Sequence, residues 1–171
     1  VGVVDMAAVA VGSALWLPIL LTFQGLLLAL TPIIAQHFGS GQPKAIVSDL
    51  YQGALLALGL SALIFIGMQF IHIPFNLMDI DGELKVKALA YLGYVAYGIF
   101  PAAGYMVLRN LFEGIGYTKA AMWISFIGIL VNIPANYVFI YGKLGMPALG
   151  GPGCGLATSL VFVAMFLAML I

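Results

Sequence analysis

The residues best suited to chemistry are two asparagines, Asn132 and Asn136, in the middle of a long apolar stretch. Residues four apart lie on one face of a helix, so both amides point the same way. Pro134 lies between them and lacks an N–H, which leaves the backbone carbonyl of Leu130 without its helical donor. Two amide oxygens and one backbone oxygen on neighbouring positions predict half of a site for a hard cation such as Na⁺, or part of a proton relay.

A simpler interpretation of the same pair stays open. Amides inside a membrane helix commonly form hydrogen bonds with a neighbouring helix, which stabilises the packing by about 0.6 kcal/mol on average. A cation site also needs a carboxylate or several further oxygens, and no Asp or Glu occurs in the middle of an apolar segment. The remaining ligands would have to come from outside this sequence. The sequence itself predicts no other metal site and no bound cofactor.

Prolines interrupt the apolar segments at four places. Each removes a backbone N–H and frees the carbonyl four residues earlier, so each predicts a helix kink. Broken helices line cavities in transporters, although a kink without any role in binding explains the same residues. The four prolines are Pro18, Pro32, Pro101 and Pro134.

A second set of candidate binding residues is aromatic or polarizable. Ring faces attract cations and a thioether makes adaptable contacts, so these side chains predict a substrate cavity for cationic aromatic ligands if they share one helical face. Ordinary packing is the alternative for all of them. The set comprises Tyr94, Tyr97, Tyr105 and Met106, with Gln24 as a polar candidate for the same cavity.

The composition shows that only lipid can solvate most of this sequence. Of the 171 residues, 64% are apolar and 7% are charged, and the mean hydropathy is +1.16. A soluble domain has roughly a quarter of its residues charged, so we predict an all-α integral membrane protein.

The net charge is zero and no basic run occurs, which excludes nucleic acid as a partner. Hydrolase, phosphate-binding and zinc-protease motifs are absent from the sequence, so we predict that it is not an enzyme.

About five transmembrane helices account for the apolar segments. Their predicted bounds are residues 6–36, 46–71, 87–112, 120–141 and 155–171. The positive-inside rule does not orient them, because the two sides of the membrane carry three basic residues each. Lys44, Arg109 and Lys119 fall on one side, and Lys85, Lys87 and Lys143 fall on the other. The sequence begins without Met and ends inside an apolar run, so we expect a fragment of a longer protein.

Four stretches of the sequence carry a resemblance to a known family. They are residues 5–10, residues 30–36 with 39–41, residues 109–114, and residues 131–142 around the asparagine pair. Together they resemble the multidrug and toxic compound extrusion (MATE) transporters, most closely their NorM-like bacterial branch. The similarity covers the whole of residues 1–171 in the right order.

The resemblance implies a fold, an activity and a location. MATE proteins have twelve helices in two six-helix lobes and export organic cations and drugs in exchange for Na⁺ or H⁺ across the bacterial inner membrane. Residues 1–171 would be helices two to six of the N-terminal lobe, with Lys44, Arg109 and Lys119 on the cytoplasmic side. The first helix and the C-terminal lobe of the same polypeptide would be missing partners.

The resemblance also assigns a site. The family's cation site in this lobe combines an Asp on the first helix with polar residues on helix five, and Asn132 and Asn136 match the latter. Asp5 is expected to be a helix-start residue rather than that carboxylate. The resemblance therefore favours a cation-binding role for the asparagines.

Two other functions are alternatives to a cation-coupled antiporter. A flippase for lipids or lipid-linked oligosaccharides, from the same superfamily, would need several Arg or Lys in its cavity for a pyrophosphate. The mid-membrane stretches of this sequence have none. A non-transporting membrane scaffold would make the prolines and the buried amides incidental.

Overall fold

A computed structural model describes residues 2–77 and 81–171. Within these residues the chain forms eight helices and no strand. The helices are α1 (Val3–Leu28), α2 (Leu30–Gly39), α3 (Pro43–Gln69), α4 (His72–Leu77), α5 (Gly82–Tyr97), α6 (Ile99–Gly114), α7 (Thr118–Tyr141) and α8 (Gly151–Met169).

The helices form four or five candidate membrane spans. α1 with α2, α3 with α4, α7 and α8 are each long and apolar enough to cross a bilayer, and the bent pair of α5 and α6 supplies the fifth. Many large apolar side chains on these helices point outward, as expected where lipid rather than water is the solvent. The predicted all-α membrane fold with about five spans is confirmed.

The helix predicted over residues 6–36 is divided into α1 and α2 by one residue, Ala29. The division follows from Pro32, which lies in the first turn of α2. A proline is accommodated in a first turn because the N–H groups there have no helical acceptor. The carbonyl that Pro32 leaves unpaired belongs to Leu28, the last residue of α1. The two helices still make one apolar span of 37 residues.

The helix predicted over residues 87–112 is divided in the same way. α5 ends at Tyr97, α6 begins at Ile99, and the two helices are bent by 44° at Gly98. Pro101 lies three residues after the break, as Pro32 does after Ala29. By contrast, α1 continues through Pro18 and α7 continues through Pro134 without a break.

α8 starts earlier than predicted and lies against α1, α5, α6 and α7. Three buried glycines in its first two turns allow this packing, because a side chain at any of them would meet the backbone of another helix. An added Cβ would lie 2.6 Å from the carbonyl oxygen of Asp5 at Gly151, 2.7 Å from that of Phe139 at Gly153, and 2.6 Å from that of Tyr91 at Gly155.

A buried amide connects α6 to the break between α1 and α2. Asn110 is 5% exposed. Its Nδ2 donates a hydrogen bond to the carbonyl oxygen of Leu27 at 2.8 Å, and its Oδ1 accepts one from Thr31 Oγ1 at 3.2 Å. The side chain therefore satisfies a backbone acceptor close to the point where the helix is interrupted.

We expect Asn110→Ala to destabilise the protein, because it leaves the Leu27 carbonyl and the Thr31 hydroxyl without these partners. The cost should be about 1–2 kcal/mol, within the range for buried and membrane hydrogen bonds. Thermal unfolding of the complete protein in detergent measures it. The matched control is Asn76→Ala, at an exposed position on α4, which should leave the midpoint unchanged; equal shifts for both variants would contradict the assigned role.

Candidate functional site

The two predicted cation ligands lie together on α7 and are bonded to each other. Nδ2 of Asn136 donates to the backbone oxygen of Asn132 and to its Oδ1, both at 3.0 Å. Both side chains are half-buried. α7 keeps them on one face because the helix continues through Pro134. The sequence predicted the shared face, whereas the direct bond depends on side-chain rotamers that the spacing alone does not set.

Asn132 borders an open groove between α7 and α8. The groove has a volume of about 330 Å³ and is lined by Ser125, Gly128, Ile129, Asn132, Val161 and Met165. The Ser125 hydroxyl donates to the carbonyl oxygen of Ala121 at 2.8 Å, so its hydrogen is already used within the helix. In residues 2–77 and 81–171, no donor bonds to Oδ1 of Asn136. One amide oxygen of the pair is thus available to a ligand.

The predicted aromatic set does not converge on one face. Tyr105 and Met106 are 4% and 6% exposed and belong to the core. Tyr97 is 66% exposed and makes an edge contact with Phe65 at 5.3 Å between ring centroids, while Tyr94 is half-buried. The bend at Gly98 is the physical reason, because it places Tyr105 and Met106 on a helix that points 44° away from the helix of the other two.

Gln24, the polar candidate for the same cavity, lies on a different helix from these residues. It is half-buried on α1, and α1 packs mainly on α5 and α8. The structure brings together the asparagine pair, and none of Gln24, the tyrosines and Met106 lines the groove that Asn132 borders.

Sequence reasoning missed an acidic–basic contact between α2 and α3. His37 Nδ1 lies 2.5 Å from Asp49 Oδ2. The short turn between Gly39 and Pro43 makes the two helices antiparallel, so that the last turn of α2 lies beside the second turn of α3. The length of that turn was the signal that could have suggested the pair.

Asp5, in the first turn of α1, forms an ion pair with a residue of α5 and is not bonded to the asparagines. Asp5 Oδ1 lies 3.0 Å from Lys87 Nζ, which also lies 2.8 Å from Glu83 Oε1. Its Oδ2 accepts a hydrogen bond from the N–H of Gly2 at 3.1 Å. Asp5 is in the first turn of α1, as a helix-start residue should be, and it joins α1 to α5.

Comparison with known proteins gives strong matches over the chain. The MatE family profile matches residues 1–138. A probable multidrug resistance protein NorM of Shewanella oneidensis is 48% identical over the whole chain. A multidrug resistance protein MdtK of Yersinia pestis is 49% identical over 99% of the chain. The chain spans 37% of the length of each relative.

Solved structures match as well. A structure described as the inward-facing conformation of a multidrug resistance MATE family transporter of the MOP superfamily aligns with a TM-score of 0.88 and 24% identity, over 98% of this chain and 37% of that chain. A second structure, described as protein C, aligns with a TM-score of 0.82 and 34% identity, over 97% of this chain and 36% of that chain. At its level of identity the first match shows the fold alone.

The helices and the matches give the same assignment. The apolar spans and the bacterial relatives make this a multi-pass protein of the bacterial inner membrane. The resemblance found in residues 5–10, 30–36 with 39–41, 109–114 and 131–142 is confirmed over most of the chain, because the family profile covers residues 1–138. The chain belongs to the MatE family, the multidrug and toxic compound extrusion transporters.

Proposed function

We propose that the protein containing this chain is a multidrug efflux antiporter that exports organic cations and drugs in exchange for Na⁺ or H⁺. The observation that carries the proposal is the 48–49% identity, over essentially the whole chain, to proteins named as multidrug resistance proteins. The first helix and the C-terminal lobe that the family resemblance implies would complete the substrate pathway. Residues 1–171 would then be part of the N-terminal lobe.

The asparagine pair supports a specific role in coupling. The N–H₂ group of Asn136 is 3.0 Å from two oxygens of Asn132, the backbone oxygen and Oδ1. If the Asn136 amide rotated by half a turn, its Oδ1 would replace Nδ2, and three oxygens would surround one point. A cation is stabilised at such a point, and the amide hydrogens occupy it in the present arrangement. The pair would thus have an ion-free state, closed by a hydrogen bond, and an ion-bound state.

Further ligands for the ion must be supplied by other parts of the protein. Three oxygens are fewer than hard cations take, and a carboxylate is the usual additional ligand. In the described residues, no group of three His, Cys, Asp or Glu side chains lies together. We therefore propose that the carboxylate comes from the first helix of the family's N-terminal lobe, and that ion binding favours one of two arrangements of the lobes with different affinities for the drug.

The structure gives less support to the flippase alternative. A pyrophosphate headgroup requires free basic side chains in the cavity. Arg109 Nε lies 2.7 Å from Glu113 Oε1 within α6, and Lys87 is paired with Asp5 and Glu83. These two of the six basic side chains are already neutralised by acidic partners. Measurement of transport distinguishes the antiporter from a scaffold without transport activity.

The test is export of a cationic dye from proteoliposomes that contain the complete gene product. A sodium gradient and a proton gradient are imposed in turn, with protein-free liposomes as the control. Export driven by one gradient identifies the coupling ion. Absence of export under both gradients, from protein that is correctly folded, contradicts the antiporter and favours the flippase or the scaffold.

A further inference from the structure

The ion pair between α1 and α5 lies against the start of α8. The ammonium group of Lys87 holds the carboxylate of Asp5, whose side chain is 14% exposed. A Cβ added to Gly150, the residue that precedes α8, would lie 3.0 Å from Asp5 Oδ1. Gly150 also has a φ of 61°, a conformation that glycine adopts without strain. Glycine at this position therefore leaves room for the carboxylate beside α8.

The Asp5 carboxylate stabilises the position that α8 takes. The first N–H groups of a helix have no acceptor within the helix and carry partial positive charge, so a nearby anion stabilises that end. Gly150 is the N-cap residue of α8 and has no side chain that could cap it. Asp5 supplies the negative charge from α1 instead, and Lys87 fixes the carboxylate from α5. Three helices thus meet at one ion pair.

The start of α8 is in turn bonded to the end of α7, the helix that carries the asparagine pair. The N–H of Leu149 donates to the carbonyl oxygen of Phe139 at 3.0 Å. The N–H of Gly150 donates to the carbonyl oxygen of Ile140 at 3.2 Å. Ile140 follows Asn136 by four residues, which is about 6 Å along the helix. A continuous series of contacts therefore leads from the ion pair to the asparagines.

We propose that the ion pair of Asp5 and Lys87 positions the asparagine pair for ion binding, because it holds the start of α8 and, through it, the last turn of α7. The inference rests on the proposed function, in which Asn132 and Asn136 bind the coupling ion. Ligands bind an ion well only when their oxygens are held within about 0.5 Å of the right geometry. Asp5 and Lys87 do not touch the ion and act only through the two helices.

Glu83 offers a matched comparison for this ion pair. Its Oε1 lies 2.8 Å from Lys87 Nζ, but it is on the same helix as Lys87 and its side chain is 63% exposed. Exposed pairs within one helix contribute little to stability. Glu83→Gln removes a negative charge beside Lys87 and leaves the contact between α1, α5 and α8 in place. It therefore separates the effect of the interhelical pair from that of charge alone.

The experiment measures dye export by the complete protein in proteoliposomes over a series of concentrations of the ion that drives it. We expect Asp5→Asn and Lys87→Met to raise the half-saturating ion concentration about three- to tenfold, within the coupling that residues between two sites transmit. The maximal rate per folded protein should change by less than about twofold, since the asparagines themselves are unaltered. Lys87→Arg, which keeps the positive charge, and Glu83→Gln should both stay close to the unaltered protein.

An ion pair with a purely structural role predicts a different result. It would lower the midpoint of thermal unfolding and the amount of folded protein, whereas the half-saturating ion concentration does not depend on that amount. An unchanged half-saturating concentration in Asp5→Asn and Lys87→Met, or an equal rise in Glu83→Gln, would overturn the inference.

A second measurement keeps this inference separate from the proposed function. The increase in unfolding midpoint that the ion produces in detergent reports the same affinity without transport. Asp5→Asn and Lys87→Met should require about three- to tenfold more ion for the same increase. Absence of export by the unaltered protein contradicts the proposed function, whereas an equal ion requirement in the variants contradicts only the role of the ion pair.

Discussion

Replacement of Asn136 by alanine is expected to reduce gradient-driven dye export at least about tenfold, the factor that corresponds to roughly 1.4 kcal/mol of lost ion affinity. The variant removes the amide that holds two oxygens of Asn132 at 3.0 Å, and with it one oxygen of the proposed ion site. Asn132→Ala should have a similar effect. Initial rates of export from proteoliposomes, normalised to the amount of folded protein, are the measurement.

Two further variants separate an ion ligand from a structural amide. Ser125→Ala alters a residue of the same α7–α8 groove whose hydroxyl already bonds within the helix, so export should stay near the unaltered rate. Asn136→Asp keeps an oxygen and adds a charge that titrates, so the preferred ion or the pH dependence of export should change. If both alanine variants export normally, or if Asn136→Asp leaves the profile unchanged, the asparagines serve only to pack the helix.

Gly153→Ala is expected to destabilise the helix packing by about 1–3 kcal/mol, the usual cost of overfilling a close contact. Its Cβ would lie 2.7 Å from the carbonyl oxygen and 2.8 Å from the carbonyl carbon of Phe139. These are backbone atoms of α7, so no side-chain rotation relieves the contact. Thermal unfolding of the complete protein in detergent should show a lower midpoint, and α7 and α8 should separate first.

The control for this substitution is another helical glycine. A Cβ at Gly59 on α3 meets no atom within 4 Å, so Gly59→Ala should be neutral or stabilising by up to about 1 kcal/mol through the better helix propensity of alanine. Gly153→Val should be worse than Gly153→Ala. A midpoint for Gly153→Ala equal to that of Gly59→Ala would show that α8 has room to move away from α7.

Much of the fold was predictable because lipid imposes one simple pattern. Long apolar segments in a chain with few charges must form helices, since no other structure satisfies the backbone there. The helix breaks were harder to predict. Pro32 and Pro101 each signalled an interruption, but each lies in the first turn of a new helix, three residues after the break, whereas α7 continues through Pro134. Whether a proline kinks a helix or starts one depends on what packs nearby.

The candidate site shows the same division between local and long-range information. The i, i+4 spacing placed Asn132 and Asn136 on one face, which is a local property. The contact of His37 with Asp49 and the bonds of Asn110 to Leu27 join different helices, and one sequence does not encode such pairings in any periodic form.

The glycines of α8 have a consequence for the order in which the chain assembles during synthesis. The backbones that Gly151, Gly153 and Gly155 contact belong to α1, α7 and α5, all of which leave the ribosome before α8. α7 packs mainly on α8 and only slightly on α6. The face with Asn132 and Asn136 is therefore expected to acquire its final position only when α8 enters the membrane and packs against α7. Until α8 has inserted, only the contacts among the earlier helices would protect the nascent chain from misassembly and proteolysis.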